Sequence, residues 1–306
     1  MMQIVTALGL LILTCAGASG ASPQRSSQGS LQSDLERLQG LAISRIPEFR
    51  RQVRAFLDDR EKRIEASIDY SVLATGAVNA QAIQAGGKRK ILVGAGVLQV
   101  FEWLSVGNMM SRWSSRDCGV EYQKHVISGV VANGNAPEVA RVYEPFTFAR
   151  RHPEICRGVS YSAFENDTAA KELQPAVLGA SFRHILAHEL AHQIFNHHAQ
   201  TDEESRRNEE EADAFAFRVS SADPSSIILA LPAYQVLAGL GADIEDEAKS
   251  SHPAGARRMQ TFAGALKALP VDEPEFRRYL DENGLRTRWN QAVDQLIQEI
   301  AKALGN

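Results

Sequence analysis

The pattern of apolar and polar positions predicts two kinds of element in the first third of the chain. Between residues 31 and 68, apolar residues recur at steps of three and four among Arg, Glu and Asp residues. This spacing predicts a helical segment with one apolar face, which Pro47 is expected to divide in two. Residues 70–104 contain short apolar runs interrupted by glycine. They predict a β-hairpin or strand pair with Gly86 and Gly87 in its turn.

The rest of the chain has a mostly helical pattern. Residues 105–178 contain several Pro and Gly residues, and we interpret them as a mostly helical insertion with loops. A histidine-rich helix is expected at about 179–199 and an acidic helix at about 203–220. Further apolar helices are expected at residues 224–240, 254–268 and 287–304. The low strand content predicts an α+β fold that is mainly α, with a small sheet packed on the histidine-rich helix.

The N-terminal region has the features of a targeting segment. No charged residue precedes Arg25, and the apolar stretch from Ile4 to about Ala18 is shorter than the ~20 residues that span a bilayer. Small residues at its end fit a signal-peptidase site, so residues 1–21 are predicted to be a signal peptide. The protein is then exported, to the periplasm or cell envelope. An uncleaved anchor, or lipidation through Cys15, is the alternative.

Composition adds two constraints. The 306 residues are 44% hydrophobic, which is enough for a substantial core, and the net charge of -4 does not favour a nucleic-acid partner. Removal of the leader would leave Cys118 and Cys156 as the two cysteines of the exported chain. An even pair in an oxidising compartment predicts a disulfide bond, with two buried free thiols as the alternative.

Five of the eight histidines lie in residues 184–198. His188 and His192 are four residues apart, so on a helix both can direct a ring nitrogen towards one ion. Glu189 is placed to reach a water molecule on that ion and to act as general base, as in the H-E-x-x-H pattern of zinc peptidases. A solvated surface helix rich in histidine is the alternative interpretation.

A catalytic zinc site has three protein ligands and one open position. The segment "EEEAD" at residues 209–213 supplies candidates for the third ligand. Glu209 is expected to bind the metal, and Asp213, on the same helix face, to accept the second ring N–H of a ligand histidine. Glu210 or Glu211 could be the ligand instead, and the segment could also be an ordinary acidic helix face.

Together these motifs resemble those of gluzincin zinc metallopeptidases, in particular the HtpX-like and CAAX-prenyl-endopeptidase-type enzymes. The matching segments are "HELAH" at residues 188–192, "EEEAD" at residues 209–213, and an H-P-x-x-x-x-R pattern from His252 to Arg258. Residues 79–98 resemble, more loosely, the N-A-x-A…G…I-x-V-x-x-G-x-L segment that precedes the active-site helix in that family. The resemblance covers about 70–105 and 180–262 and implies a zincin-like fold.

The resemblance also implies roles for individual residues. One Zn²⁺ ion per chain would be bound by His188, His192 and Glu209, with Glu189 as general base and proton donor to the leaving amine. His252 would stabilise the oxyanion, Arg258 would brace that region, and Asp213 would orient a ligand histidine. The strand near Lys90–Gly94 would be the sheet edge on which an extended peptide lies.

These inferences predict a domain organisation and a function. The expected segments are a signal peptide (1–21), an N-terminal helical segment (22–70), a metallopeptidase domain (71–270) with an insertion (about 105–178), and C-terminal helices (271–306). The expected activity is zinc-dependent hydrolysis of peptide bonds in exported or envelope proteins, and association with a membrane surface is compatible with it. A catalytically silent, chaperone-like zinc module that captures extended polypeptide is the alternative. The leader argues against a cytosolic peptidase that cleaves repressors.

Overall fold

The computed structural model describes residues 31–132, 139, 142–241, 253–282, 289–291, 293–294 and 297–298. These residues are mainly helical and include one three-stranded sheet, which confirms the predicted fold class. The structure contains the helices α1 (Leu31–Val53), α2 (Asp59–Ala66), α3 (Ala95–Met109), α4 (Arg116–Val131), α5 (Pro145–Arg151), α6 (Tyr161–Asn166), α7 (Thr168–Ile194), α8 (Asp202–Ser220), α9 (Pro224–Leu229), α10 (Leu231–Leu240), α11 (Gly255–Lys267) and α12 (Pro274–Glu282). The strands are β1 (Ile68–Leu73), β2 (Ala80–Ala85) and β3 (Lys88–Gly94).

Helix α1 continues through Pro47, so the prediction that this proline divides the segment was wrong. Pro47 removes the helical donor to the carbonyl group of Ile43, but Ile43 is 50% exposed and its carbonyl can be hydrated. The chain breaks further on, at Leu57, which has an extended backbone. Asp58 then starts α2 with a capping box that includes Glu61.

The sheet contains the predicted hairpin and one additional strand. Strands β2 and β3 are antiparallel, and the turn between them has Gly86 and Gly87 at φ 58° and 75°, as a tight hairpin requires. Strand β1 pairs with β3 in parallel, so the strand order is β1-β3-β2. The prediction that Lys90–Gly94 forms an exposed edge was therefore wrong. Strand β1, which follows α1 and α2 in the chain, occupies one side of β3, and β2 occupies the other. Strand β2 is therefore an edge strand.

The core of the described residues is one continuous hydrophobic cluster that includes side chains from α1 to α12. Helix α3 lies at its centre, with all its residues buried, and packs against α1, α4 and α7. Helix α7 in turn packs against α8 and β2. The small sheet therefore lies directly on the histidine-rich helix.

Residues 105–178 are mostly helical in their described part, as predicted, and the disulfide bond between Cys118 and Cys156 is present. Cys118 lies in the first turn of α4, and Cys156 follows α5. Both cysteines are buried in the hydrophobic cluster. The bridge thus attaches the α5 segment to a helix that packs on α3 and α10.

Helix α7 is longer at its N-terminus than the pattern predicted. It begins after Asp167, whose carboxylate accepts a hydrogen bond from the amide of Ala170, and it continues through Pro175 to Ile194. The apolar segment 224–240 forms the two helices α9 and α10, and most of its side chains from residue 226 onwards are buried. Most of the helix expected at 287–304 lies outside the described residues. No helix in the described part of the chain is long and apolar enough to cross a membrane.

Candidate metal centre

Helices α7 and α8 bring together three of the residues singled out from the sequence. His188 and His192 lie on one face of α7, and Glu209 of α8 faces both. The two Nε2 atoms lie 3.2 Å apart, and the carboxylate oxygens of Glu209 lie 3.4 Å from Nε2 of His188 and 3.5 Å from Nε2 of His192. Within the described ranges, these are the residues whose donor atoms cluster closely enough to hold a metal ion.

The spacing of these atoms fits a tetrahedral zinc site. Ligand atoms at about 2.0–2.1 Å from a tetrahedral zinc ion lie about 3.3–3.4 Å from one another. The two Nε2 atoms are separated by nearly this edge length, at 3.2 Å, and each lies 3.4–3.5 Å from a different carboxylate oxygen of Glu209, Oε2 for His188 and Oε1 for His192. Two imidazoles and one carboxylate are also a donor set of catalytic zinc, which leaves a fourth position open. The residues present therefore fit the group that the H-E-x-x-H pattern implies.

A carboxylate lies behind the first of these histidines. Nδ1 of His188 lies 3.0 Å from Oδ1 of Asp213, one turn after Glu209 on α8, at an angle outside that of a regular hydrogen bond. Arg258 of α11 donates to both carboxylate oxygens of Asp213, at 2.7 and 2.8 Å, and to Glu209 at 3.2 Å. Asp213 thus lies beside His188, the candidate ligand that it was expected to orient, whereas the contacts of Arg258 are to Asp213 and Glu209 and its expected role beside His252 stays a prediction.

A second imidazole lies behind the other histidine, and the sequence analysis did not identify it. Nδ1 of His197 lies 2.9 Å from Nδ1 of His192, and Nε2 of His197 lies 3.0 Å from a carboxylate oxygen of Glu211. Glu211 thus contacts His197 and not the metal-binding atoms, while Glu210 is exposed. The signal that was overlooked is Asn196, a residue that commonly ends a helix and reverses the chain.

The charges of the site favour a cation between its carboxylates. Burial alone would lower the pKa of His188, but Asp213 and Glu209 raise it to about 10. Burial opposes ionisation of Glu209, yet His188 and Arg258 hold its pKa at about 2. Burial and the neighbouring His188 lower the pKa of His192 to about 3. The carboxylates thus stabilise one positive charge at this point, which a proton supplies in the metal-free chain and a divalent cation can replace.

Glu189 lies next to His188 and lines the same cleft. Its side chain is buried, and burial together with the charge of Glu209 raises its pKa to about 7. The charge of His188 and the nearby backbone of Ala82 in β2 act in the opposite direction on this pKa. The carboxylate is therefore held between the active face of α7 and the edge strand, with a proton affinity suited to exchange near neutral pH.

The cleft has a volume of about 380 Å³ and combines a polar floor with two walls. The floor contains Glu189 and the three metal-binding residues. One wall is residues 78–83, which include most of the edge strand β2. The other wall is apolar and consists of Val97, Ile185, Val236, Leu237 and Leu240. Most of strand β2 and the candidate metal-binding residues therefore line the same cleft.

Two residues singled out from the sequence are not placed by the structure. His252, expected to stabilise the oxyanion, and Cys15, the alternative lipidation site, lie outside the described residues.

Gln193, which the sequence analysis did not single out, connects the histidine-rich helix to the sheet beside the cleft. Its amide group donates to the carbonyl oxygens of Ile83 and Lys90 and so ties α7 to both strands of the hairpin.

Comparison with known proteins adds one finding. No curated protein and no solved structure matches the chain. Residues 141–277 match the model of the family Peptidase U49, and this segment contains the candidate metal-binding residues, Glu189, Asp213 and Arg258. The resemblance to HtpX-like and CAAX-prenyl-endopeptidase-type enzymes stays a prediction. The match over the segment that carries the candidate metal centre supports the assignment of this protein as a peptidase.

Proposed function

We propose that this protein is a zinc-dependent endopeptidase that hydrolyses peptide bonds of exported or envelope proteins. The observation that carries the proposal is the convergence of His188, His192 and Glu209, whose ring nitrogens and carboxylate oxygens lie close enough together to hold one metal ion. The carboxylate of Glu189 lies beside them, in a cleft bordered by an edge strand. The similarity to Peptidase U49 supports the coarser assignment, and the donor set supports zinc.

The residues of the cleft divide the chemistry between them. A zinc ion held by these side chains would supply Lewis-acid polarisation of water and of the scissile carbonyl group. Glu189 takes a proton from the attacking water and delivers it to the leaving amine. Asp213 and Arg258 keep His188 and Glu209 in place while the charge distribution changes. His252 stays our proposal for stabilisation of the oxyanion.

Strand β2 is the proposed binding site for substrate. Its partner β3 occupies one side, and residues 78–83 line the cleft on the other. An extended peptide can pair with such an edge through main-chain hydrogen bonds, which makes recognition largely independent of side-chain sequence. The apolar wall opposite would accept an apolar side chain next to the scissile bond. Export through the predicted leader would bring the enzyme to envelope substrates.

The test combines metal content with peptide cleavage in three variants of the mature protein. We expect about one zinc ion per chain in the wild type and in Glu189→Gln, and none in Glu209→Ala. Glu189→Gln should lower cleavage of an unfolded test protein by roughly 10²–10⁴-fold, because the general base is lost while the metal remains. Glu210→Gln, which changes an exposed neighbour, is the matched control and should retain zinc and activity.

Three results would contradict the proposal in different ways. Unchanged cleavage in Glu189→Gln would exclude the proposed general base. A wild-type chain that does not bind zinc after reconstitution would exclude the metal centre. Zinc-loaded wild-type protein that binds unfolded polypeptide and never cleaves it would support the silent capture module instead.

A further inference from the structure

His197 is buried in a place where the sequence suggests a solvated residue. It follows the C-terminus of α7, yet its side chain is only 6% exposed, whereas the adjacent His198 is exposed. The ring of His197 lies between His192 and Glu211, with nitrogen–nitrogen and nitrogen–oxygen distances of 2.9 and 3.0 Å. Both nitrogens of this imidazole are therefore engaged.

The chemistry of the three groups sets the direction of both hydrogen bonds. The carboxylate of Glu211 can only accept, so Nε2 of His197 carries the proton and donates it. In the neutral imidazole, Nδ1 of His197 is then unprotonated and accepts a hydrogen bond from Nδ1–H of His192. This leaves Nε2 of His192 with a free lone pair, and that atom faces Glu209 and His188. The carboxylate of Glu211 thus determines the tautomer of His192 through the ring of His197.

The local sequence explains how His197 reaches this position. Helix α7 ends at Ile194, Phe195 is still helical, and Asn196 adopts the left-handed conformation with φ 56°. The amide of His197 then donates to the carbonyl of His192 at 3.0 Å, which closes a Schellman turn. This turn changes the direction of the chain at the end of α7. It places the ring of His197 against that of His192, which lies one turn earlier in the helix. The ring of Phe195 packs beside it.

We propose that His197 and Glu211 are positioning residues that lock His192 in the Nδ1–H tautomer and direct its Nε2 towards the metal. The inference rests on the proposed zinc site. It gives the two ligand histidines different supports, because His188 meets a carboxylate directly and His192 meets one through a second imidazole. Loss of such an outer partner typically weakens metal binding by about 10- to 100-fold.

A purely structural role for His197 makes a different prediction. If its contacts only joined α7 to α8, their loss would lower stability and leave the tautomer of His192 unchanged. The ring nitrogens of His192 therefore distinguish the two roles. In the metal-free wild type, ¹⁵N spectra of histidine-labelled protein should show His192 with a protonated Nδ1 and an unprotonated Nε2 at neutral pH. The opposite tautomer in the wild type would overturn the proposal.

Zinc affinity provides the second readout, measured on the mature protein by competition with a chelator. His197→Phe removes both ring nitrogens and keeps a ring of similar size, and we expect it to weaken zinc binding by about 10- to 100-fold. The matched control His198→Phe changes the exposed neighbour and should bind zinc as the wild type does. Glu211→Ala should weaken binding in the same direction, in contrast to Glu210→Ala.

A conservative variant tests whether the acceptor itself matters. The side-chain oxygen of His197→Gln can accept the hydrogen bond from His192, so this variant should recover part of the affinity that His197→Phe loses. It also serves as the reference where His197→Phe does not fold. Equal zinc affinity in His197→Phe, His198→Phe and the wild type would refute the positioning role and leave the zinc site intact. A wild-type chain without zinc would refute the proposed function, and the tautomer of His192 would still test the inference.

Discussion

At the scale of single residues, Arg258 explains how two mostly buried carboxylates coexist beside the candidate metal-binding histidines. Its guanidinium group is 7% exposed and makes a two-point contact with Asp213 and a further contact with Glu209. Such a planar, permanently charged group matches carboxylate geometry better than lysine does. The proximity of Arg258 helps to hold the pKa of both carboxyl groups below their usual range. The charge of Arg258 is therefore part of the site before any metal binds.

Replacement of Arg258 should destabilise the folded protein. Arg258→Gln leaves two mostly buried carboxylates without their cation, and we expect the free energy of unfolding to fall by about 3–5 kcal/mol. Loading with zinc should recover part of this loss, because the ion compensates the charge of Glu209. Urea denaturation of the metal-free and zinc-loaded protein measures both effects. Arg257→Gln, at the exposed neighbouring position, should change stability by less than about 0.5 kcal/mol, and an equal loss in the two variants would contradict this account.

At the scale of elements, the start of α3 supports the wall of the cleft. The amide of Gly96 donates to the carbonyl of Thr75 at 2.9 Å, and a Cβ atom at position 96 would lie 2.7 Å from the carbonyl oxygen of Ala77 and would overlap that of Gly76. These are backbone atoms of the loop that leads into β2, so they cannot turn aside as a side chain can. The close approach of these backbone atoms is the steric reason for a glycine at position 96, within the I-x-V-x-x-G-x-L segment.

Gly96→Ala should therefore disturb both stability and substrate binding. We expect a loss of about 1–3 kcal/mol in the free energy of unfolding, together with a raised KM, because displacement of the loop moves residues 78–83. Gly40→Ala is the matched control, since an added Cβ at this exposed helical position meets nothing within 4 Å. It should raise stability by up to about 1 kcal/mol and leave KM unchanged. Denaturation curves and cleavage kinetics of the two variants give the comparison, and similar behaviour of both would contradict the steric argument.

At the scale of the whole molecule, the disulfide bond adds a covalent link to a segment that hydrogen bonds also hold, among them those from Ser114 and Ser115 to the carbonyl group of Ile155. Cys118 and Cys156 are separated by 38 positions, and the bond between them attaches the segment after α5 to α4. Helix α4 packs on α3 and α10, which border the cleft through Val97, Leu237 and Leu240. The bridge does not line the cleft itself. It therefore acts on the stability of the fold and leaves the metal-binding atoms in place.

Removal of the bridge should lower the free energy of unfolding without changing zinc binding by the folded protein. The double variant Cys118→Ala/Cys156→Ala loses the restriction that the cross-link imposes on the unfolded chain, and the expected loss is about 3–4 kcal/mol. Denaturation of the double variant and of the oxidised wild type measures this difference, and zinc titration below the transition checks the site. Equal stability of the two proteins, or loss of zinc binding in the folded variant, would contradict this assignment.

The sequence by itself determined features that depend on neighbours along the chain. The spacing of His188 and His192 places both on one helix face through the geometry of a single turn, and the structure shows them there. Gly86 and Gly87 define the hairpin turn because they adopt positive φ at no steric cost. The mainly α class and the pairing of the two cysteines were also predictable, since periodicity and cysteine count report on them directly.

Only the tertiary structure decided which distant residues meet. Helix packing brings Glu209 to the two histidines and sends Glu211 to His197, although both glutamates lie in the same acidic run. The approach of β1 makes β3 a central strand and leaves β2 beside the cleft, which no local pattern could specify. Pairing between strands and contacts between helices depend on how the whole core closes, whereas the residues of one turn or one hairpin interact before that core exists.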